Sequence, residues 1–400
     1  MGNDHWVLTS LRDATKSKKG KKPSTTCCID TNGAVPYILI DQMEGNAPDI
    51  YTNDKRISLC DKDDVLIVWD GSIGKTAIGL IGAIGSTIVA LTPIKVISSF
   101  LFYFLNYKKT DILQNSRGSG LQHINQSFFW NVQIPVPFLS EQQQIVEKLD
   151  AILPKIRKVK ERLEKIPVIL KKFRQRILSA ACTGKLTEDW REEYNITDAW
   201  AKVLSQELFQ FVTSGSRGWA KYYSTNGALF IRIGNLDHCT ISLDLEKKQF
   251  VNPPEGAEGL RTKVIANDIL VSITADVGMI GLIPEGFEEA YINQHIALSR
   301  PNNRVYPRYL AWYLASSFAQ SQLQDLQRGA TKVGLGLNDI KSIMVPVPSL
   351  QEQHEIARRV DKLFALTDSL EAKYKKAMEH IEKIEQSVLA KAFRGDLVLP

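Results

Sequence analysis

Two stretches of the chain carry apolar residues at alternating spacings of four and three. This spacing keeps the apolar residues on one side of an α-helix and predicts a coiled-coil seam. The first seam consists of Ile145, Leu149, Ile152, Ile156, Val159, Leu163, Ile166, Leu170, Phe173 and Ile177. The second seam consists of Ile356, Val360, Leu363, Leu370, Tyr374, Ile381, Ile384 and Val388, with Thr367 and Ala377 filling its other positions.

Each predicted helix has a start signal and a stop signal. Ser140 and Ser349 are followed by Glu and Gln residues, as at capped helix starts, and Gly184 and Gly395 lie where the helices are expected to end. Two prolines weaken the first helix without removing the helical pattern. A helix of about 40 residues is about 60 Å long. We predict two spacer arms that pair antiparallel; the alternative, that each arm packs on its own neighbouring block, stays open.

The chain also contains an internal repeat. A shift of 211 positions aligns 135–186 with 346–397 without a gap, and 15 of these 52 positions are identical. Upstream, 64–74 aligns with 268–278 at a shift of 204. The repeated unit is therefore a divergent block followed by an arm, and it occurs twice.

Both blocks contain short β-rich runs bounded by turn residues, at 37–40, 65–69, 230–233 and 269–273. We predict the α+β class, with two tandem α/β domains separated by two long antiparallel coiled-coil helices and related by an internal pseudo-twofold repeat. The predicted segments are a first block at 1–139, a central arm at 140–190, a second block at 191–348 and a C-terminal arm at 349–400.

An uncharged stretch at 76–94 is long enough to be examined as a membrane span. Glycines, threonines and a proline interrupt it, which predicts buried strands joined by turns. Its counterpart in the second copy contains Glu285, Glu288 and Glu289, which a membrane span would not tolerate. The first residues, MGNDHW, show no secretory or myristoylation pattern, so a cytoplasmic protein is expected.

Composition and charge narrow the function classes only slightly. Hydrophobic residues make up 44% and charged residues 24% of the 400 residues, which is typical of a folded globular protein. Fifty Lys and Arg against 44 Asp and Glu give a net charge of +6, a mild excess compatible with nucleic-acid binding. Five cysteines without a C-x-x-C pair predict reduced thiols rather than disulfides or a zinc site.

Three segments look like catalytic motifs and fail on inspection. Gly74-Lys75-Thr76 ends like a phosphate-binding loop, but Trp69 stands where that motif needs glycine. Asn252-Pro253-Pro254 resembles an amino-methyltransferase motif but lacks its aromatic fourth residue, and Glu246-Lys247-Lys248 has no Pro-Asp partner upstream. No histidine lies at metal-ligand spacing from a cysteine or carboxylate. We predict neither catalytic nor metal-binding residues.

Basic residues beside turns are the candidate DNA contacts. The segment 16–25 is rich in lysine and, with its glycine and proline, is predicted to be a loop that is able to lie on phosphates. A solvated loop without a DNA contact is the alternative. The candidate set is Lys16, Lys18, Lys19, Lys21, Lys22, Lys75, Arg117, Arg217, Lys221, Arg232, Arg261, Lys263, Arg328 and Lys332. Amides that could read base edges are Gln122, Asn125, Asn235, Asn293 and Gln294.

The repeated arms begin with the same motif, P-x-P-x-L-x-E-Q, at 135–142 and at 346–353, and both end in Gly-x-Leu. With the block-arm-block-arm order, these motifs make the chain resemble the specificity subunit of type I restriction-modification enzymes over essentially its whole length. An aromatic-basic-aliphatic strand typical of that family is present at 230–236, whereas the corresponding 37–43 lacks the arginine.

The resemblance implies that each block is a target-recognition domain reading one half of a bipartite, asymmetric site in double-stranded DNA. It implies that the arms set the gap and that two modification subunits methylate adenine N6. Restriction subunits would add cleavage. S-adenosylmethionine, ATP and Mg would be held by those partners, and this chain would bind no cofactor. A coiled-coil adaptor without DNA reading, or a self-sufficient methyltransferase or nuclease, remains as an alternative.

Overall fold

The computed structural model describes residues 5–28, 33–118, 120–215, 217–253, 255–327 and 334–397. The chain forms two compact units. Unit 1 contains Met1–Leu163 and Lys376–Pro400, and unit 2 contains Glu164–Lys375. Each unit therefore combines one block, the first part of the arm that follows it and the last part of the other arm. This grouping differs from the four predicted segments, whose boundaries stay a prediction.

Unit 1 is built from short strands and helices. Its strands are β1 (Val7–Ser10), β2 (Thr15–Lys19), β3 (Val35–Ile38), β4 (Tyr51–Thr52), β5 (Leu59–Cys60), β6 (Val65–Val68), β7 (Thr76–Ala77), β8 (Gly82–Ile84), β9 (Ile88–Pro93) and β10 (Gln133–Val136). Its helices are α1 (Leu11–Ala14), α2 (Ile40–Met43), α3 (Ser98–Tyr107), α4 (Lys109–Gln114), α5 (Gln126–Asn131) and α6 (Leu139–Leu163).

Unit 2 has a corresponding set of elements. Its strands are β11 (Ala201–Leu204), β12 (Phe209–Ser214), β13 (Tyr223–Ser224), β14 (Ala228–Ile231), β15 (Phe250–Val251), β16 (Ile269–Ser272), β17 (Ile280–Leu282), β18 (Ala290–Ile292), β19 (Ile296–Pro301) and β20 (Met344–Val347). Its helices are α7 (Ile166–Cys182), α8 (Glu188–Glu193), α9 (Ala257–Thr262), α10 (Pro307–Ala315), α11 (Ser317–Leu326) and α12 (Leu337–Lys341). The last helix, α13 (Leu350–Arg394), contributes to both units.

The two units share one sheet plan, which confirms the predicted α+β class and internal repeat. The first sheets have the same order, β2-β9-β6-β7 in unit 1 and β12-β19-β16-β17 in unit 2. The second sheets, β4-β3-β8-β5 and β13-β15-β14-β18, share the three strands β4-β3-β8 and β15-β14-β18 and differ in the edge that the fourth strand occupies. Each unit adds a two-stranded pair, β1-β10 or β11-β20. In each second sheet one pair is parallel, β3 with β8 and β14 with β18. The divergent sequences of the blocks therefore fold on a common frame.

The uncharged stretch at 76–94 folds as three strands, β7, β8 and β9, joined by turns. All three residues of β8 are buried, as are the first four residues of β9. Burial on both faces explains why this segment is apolar without alternation. Among the described residues, every helix is too short or too polar to cross a membrane.

The first arm is two helices rather than one. Helix α6 ends at Leu163 and helix α7 begins at Ile166, because Pro167 in the first turn of α7 cannot continue a helix from the preceding residues. The second arm is one helix of 45 residues. The predicted glycine stops are confirmed, since Gly184 and Gly395 have φ angles of 77° and 80°.

Only one of the two predicted serine caps forms. The Oγ of Ser349 accepts a hydrogen bond from the Glu352 amide at 3.3 Å. Helix α6 begins at Leu139, so Ser140 lies inside it and does not cap it. The carbonyl of Phe138 instead accepts the amides of Glu141 and Gln142 at 3.0 Å.

Within each unit, the arm segments pair antiparallel as predicted. In unit 1, Lys148 on α6 donates to the Leu397 carbonyl at 2.8 Å and Lys160 lies 3.7 Å from Glu382. In unit 2, Arg174 on α7 donates to Asp368 at 2.6 Å. The alternative prediction is also partly right, because α6 residues share a buried cluster with block residues of the same unit.

The seam is only partly buried, which corrects the predicted list. Val159, Phe173, Leu370 and Ile384 are 43%, 38%, 40% and 48% exposed. A straight α-helix has 3.6 residues per turn, so a strict heptad stripe rotates away from its partner. Residues next to the predicted seam are buried in its place, namely Val146, Leu153, Leu178, Phe364, Leu389 and Phe393.

Candidate nucleic-acid interface

The motif that begins each arm anchors the arm to the start of its block. In unit 1, Glu141 accepts a hydrogen bond from the Trp6 indole at 2.9 Å. In unit 2, Glu352 accepts the Trp200 indole at 3.0 Å and the Thr187 hydroxyl at 2.8 Å. Trp6 and Trp200, which lie near the start of the two blocks, therefore have equivalent glutamate partners.

The glutamine of the motif makes equivalent hydrogen bonds to the backbone in both units. Gln142 accepts the Ile97 amide at 2.9 Å and donates to the Pro137 carbonyl at 3.0 Å. Gln353 accepts the Tyr306 amide at 2.6 Å and donates to the Pro348 carbonyl at 2.8 Å. Both side chains are buried, so the motif recurs in both copies because it satisfies buried backbone groups.

A close backbone approach brings the end of the long edge strand beside a loop in each unit. A Cβ on Gly20 would lie 2.0 Å from the Gly85 carbonyl oxygen, and a Cβ on Gly215 would lie 2.1 Å from the Asn293 carbonyl oxygen. Only glycine fits at these two positions. We call the resulting surface the loop edge. In unit 1 it includes residues 19–22, 70–71, 85–87, 117–118 and 120–123, and in unit 2 it includes residues 214–215, 217–223, 232, 274–275 and 293–295.

The loop edge of unit 1 is organised around Asp70. Its carboxylate lies 3.2 Å from the Lys19 ammonium and 2.7 Å from the His123 Nδ1. Arg117 and His123 exchange backbone hydrogen bonds at 2.9 and 2.8 Å, and the Gln122 carbonyl accepts the Gly71 amide at 2.8 Å. The predicted contacts Lys19, Arg117 and Gln122 therefore lie together.

The loop edge of unit 2 contains a cleft of about 170 Å³ with aromatic and polar walls. Its lining is Gly218, Trp219, Ala220, Tyr223, Phe230, Asn293, Gln294 and His295. Trp219 is buried and stacks on Phe230 with ring centroids 5.3 Å apart and an interplanar angle of 9°. The predicted residues Arg217, Lys221 and Arg232 are in the segments that border this cleft.

Several predicted cations are available for a polyanion. Lys16, Lys21, Lys22, Arg117, Arg217 and Lys221 are exposed, and Arg232 is half-buried. Within the described ranges none of these side chains pairs with a carboxylate, and the Lys221 ammonium lies 4.9 Å from the Tyr222 ring centroid. Unpaired cations beside a loop edge fit contacts with DNA phosphates.

Other predicted cations already have partners, which weakens their case as DNA contacts. Lys18 and Lys19 pair with Asp64 and Asp70, and Lys75 pairs with Glu44. Arg261 donates to the Thr213 hydroxyl and the Ser214 carbonyl. Lys263 pairs with Glu289 at 2.6 Å, and this hydrogen bond lowers the pKa of Glu289. Arg328 and Lys332 lie outside the described residues.

The lysine-rich segment is not the predicted loop over its first part. Thr15–Lys19 forms edge strand β2, which pairs with β9. Lysines are common on edge strands because their charge prevents further strand pairing. Only the residues after Gly20 fit the predicted irregular conformation, and Lys21 and Lys22 lie there.

Two of the predicted amides have structural roles. Asn125 caps helix α5 by accepting the Phe128 amide. Asn235 is buried, accepts the Arg232 amide at 2.9 Å and donates to the Asp244 carbonyl at 2.7 Å. Gln122, Asn293 and Gln294 remain on the loop edges.

Sequence reasoning missed the aromatic and histidine residues of the loop edges. Trp219, Tyr223 and His295 line the cleft of unit 2, and His123 with Asp70 organises unit 1. Neighbouring glycines at 71, 215 and 218 were a signal of close approaches at these places. Among the described residues, the loop edges included, His, Cys, Asp and Glu side chains form no group of three that could hold a metal ion.

Comparison with known proteins places the whole chain beside one family. A family model described as type I restriction modification DNA specificity domain matches residues 3–168 and 230–380. The EcoBI specificity subunit of Escherichia coli is 28% identical over 413 residues, covering 99% of this chain and 87% of that protein. The StySPI specificity subunit of Salmonella potsdam is 30% identical over 355 residues, covering 84% and 75%.

Solved structures show the same fold at low sequence identity. A chain from a study of complex assembly and conformational transition in a type I R-M system matches with a TM-score of 0.75 and 18% identity, covering 99% of this chain and 100% of that chain. The HsdS subunit from Thermoanaerobacter tengcongensis matches with a TM-score of 0.53 and 18% identity, covering 99% and 98%.

Proposed function

Because the chain belongs to the family of type I restriction-modification DNA specificity subunits, we propose that its two blocks read the two unlike halves of a bipartite DNA target. The chain recognises DNA sequence within a type I restriction-modification system and is not itself an enzyme. The finer statement, one half-site for each block, is the proposal.

One observation carries this proposal: the two units share a frame but differ at the loop edge. The sheets, the motif anchors and the glycine approaches are repeated. At equivalent positions, however, unit 1 has Gly85-Ser86-Thr87 where unit 2 has Asn293-Gln294-His295. Side chains with different hydrogen-bonding groups read different bases, so unlike loop edges favour an asymmetric target.

We further propose that two modification subunits bind this chain and methylate adenine N6, and that restriction subunits complete the system. S-adenosylmethionine, ATP and Mg would be bound by these partners, and the arms would set the gap between the half-sites. The family supports partners of the restriction-modification system. Their number and their cofactors belong to the proposal.

The test is a genome-wide map of N6-methyladenine. The full chain is expressed with its modification subunit in a host without other adenine methylation, and methylated positions are read by single-molecule sequencing. We expect one split motif with a fixed gap and unlike halves. A continuous motif, or an assembled complex that binds no duplex specifically, would contradict the proposal and favour a coiled-coil adaptor.

The cations of unit 2 provide a quantitative prediction. Replacing Arg217 and Lys221 together by alanine is expected to make the slope of log K against log salt shallower, by about 0.9 for each phosphate that these two side chains neutralise. The complex should weaken for all sequences alike, because phosphate contacts carry no sequence information. Salt titrations of the modification complex on a target duplex measure this slope.

Lys248→Ala combined with Lys263→Ala is the matched control. It removes the same charge from the same unit, but these lysines pair with Glu288 and Glu289. The control should leave the salt slope nearly unchanged. A slope for the Arg217 and Lys221 double variant equal to that of the natural complex would show that these two side chains do not contact phosphates.

A further inference from the structure

A chain of three polar side chains crosses the loop edge of unit 2. The Thr274 hydroxyl lies 2.5 Å from the His295 Nδ1, and the His295 Nε2 lies 3.1 Å from the Gln294 Nε2. The Asn293 side chain accepts the His295 amide at 3.1 Å. Gln294 and His295 also line the cleft described above. His295 therefore fixes the Gln294 amide, and Thr274 in turn fixes the His295 ring.

The hydrogen bonds among Thr274, His295 and Gln294 determine which polar groups of Gln294 are left without a partner. An amide nitrogen only donates, so the His295 Nε2 is the acceptor and its Nδ1 carries the proton that it donates to Thr274. This leaves one N–H and the Oε1 of Gln294. Within the described part of the chain, neither group has a partner. A free donor and a free acceptor on one planar amide form the pair that matches the major-groove edge of adenine.

We propose that Gln294 is a specificity-determining residue that reads an adenine in the half-site of unit 2, and that His295 is its positioning residue. The Oε1 accepts from adenine N6 and the free N–H donates to adenine N7. This inference rests on the proposed function. It adds to that function the base that is read, adenine, the residue that reads it, Gln294, and the residue that orients Gln294, His295.

Preorganisation of the Gln294 side chain supports its proposed role in base recognition. A free glutamine side chain loses rotamer entropy on binding, whereas one held by His295 has already lost part of it. The stacked Trp219 and Phe230 rings form a rigid wall of the cleft. Unit 1 has Ser86 and Thr87 at the positions of Gln294 and His295. The glutamine amide fixed by a histidine is therefore a feature of unit 2 and not of unit 1.

The test uses the modification complex and the methylation map, with two substitutions of Gln294. For Gln294→Ala we expect preference for one adenine in one half of the motif to fall about 5- to 150-fold, with the gap and the other half unchanged. For Gln294→Glu we expect the same position to change from adenine towards cytosine, because a carboxylate accepts from cytosine N4 but cannot donate to adenine N7.

The positioning role has its own readout. His295→Ala should relax the same base position as Gln294→Ala, by a smaller factor, and should leave every other position unchanged. The control is Gln324→Ala, which removes an exposed amide from helix α11, outside the loop edge, and should not alter the motif.

The outcomes separate this inference from the proposed function. If the natural complex yields no split motif, the proposed function fails first. If it yields a split motif that both Gln294 variants reproduce unchanged, the inference is wrong and the function stands. Replacing the block of unit 2 by that of a relative identifies the motif half that unit 2 reads. A Gln294 variant that changes only the other half would also overturn the inference.

Discussion

Replacing Phe393 by alanine is expected to lower the free energy of unfolding of unit 1 by about 3 to 5 kcal/mol, the usual cost of removing a buried phenylalanine side chain. Phe393 is 6% exposed although it lies near the end of the last helix. Its ring contacts Phe100, Phe104 and Tyr107 on helix α3, with centroids 5.1, 5.3 and 5.5 Å away. The substitution would leave a cavity between the end of one arm and the block of the other copy.

The matched control is Ile384→Ala on the same helix. Ile384 belongs to the predicted seam but is 48% exposed, so its loss should cost less than about 1 kcal/mol. Urea unfolding followed by hydrogen exchange, which reports protection separately in each unit, measures both effects. Equal destabilisation by the two variants would mean that the heptad seam, and not the aromatic cluster on α3, holds this helix.

The second large effect is expected at a buried carboxylate of unit 2. Asp268 is fully buried and accepts two hydrogen bonds from Arg300, at 2.7 and 2.8 Å, and one from the Ile265 amide at 2.8 Å. The hydrogen bond to Asp268 raises the pKa of Arg300 above its ordinary value. Arg300→Met keeps much of the aliphatic stem but leaves the buried carboxylate without its cation. We expect unit 2 to lose about 3 kcal/mol of stability.

The repeat supplies the matched control. Asp64 occupies the equivalent position in unit 1, but its cation, Lys18, lies 3.4 Å away and is 49% exposed. Asp64 also accepts the Thr92 hydroxyl at 2.5 Å and the Asp61 amide at 3.0 Å. Lys18→Met should therefore cost less than about 1 kcal/mol. Thermal unfolding of both variants at neutral pH tests the difference; similar losses would show that the bidentate geometry of Arg300 adds little.

The sequence alone determined the architecture of this protein because the relevant signals are local or repeated. Apolar spacing identified both arms, the shift of 211 identified the copies, and the β-rich runs at 65–69 and 269–273 correspond to β6 and β16. The motif that begins each arm led to the family before any contact was known. Its Glu and Gln recur because each copy has an equivalent tryptophan and equivalent buried backbone groups to satisfy.

Only the tertiary structure decided which candidate residues lie close together and which already form ion pairs or hydrogen bonds within the protein. Charge along a sequence does not show that Lys263 faces Glu289 while Arg217 faces no carboxylate among the described residues, since such partners are distant in the chain. The seam likewise could not reveal that Phe393 is buried and Ile384 exposed, because the block supplies the second packing surface. The fixed amide of Gln294 depends on Thr274, 20 positions away in the sequence, and became visible only when the fold placed Thr274, His295 and Gln294 in one hydrogen-bonded chain.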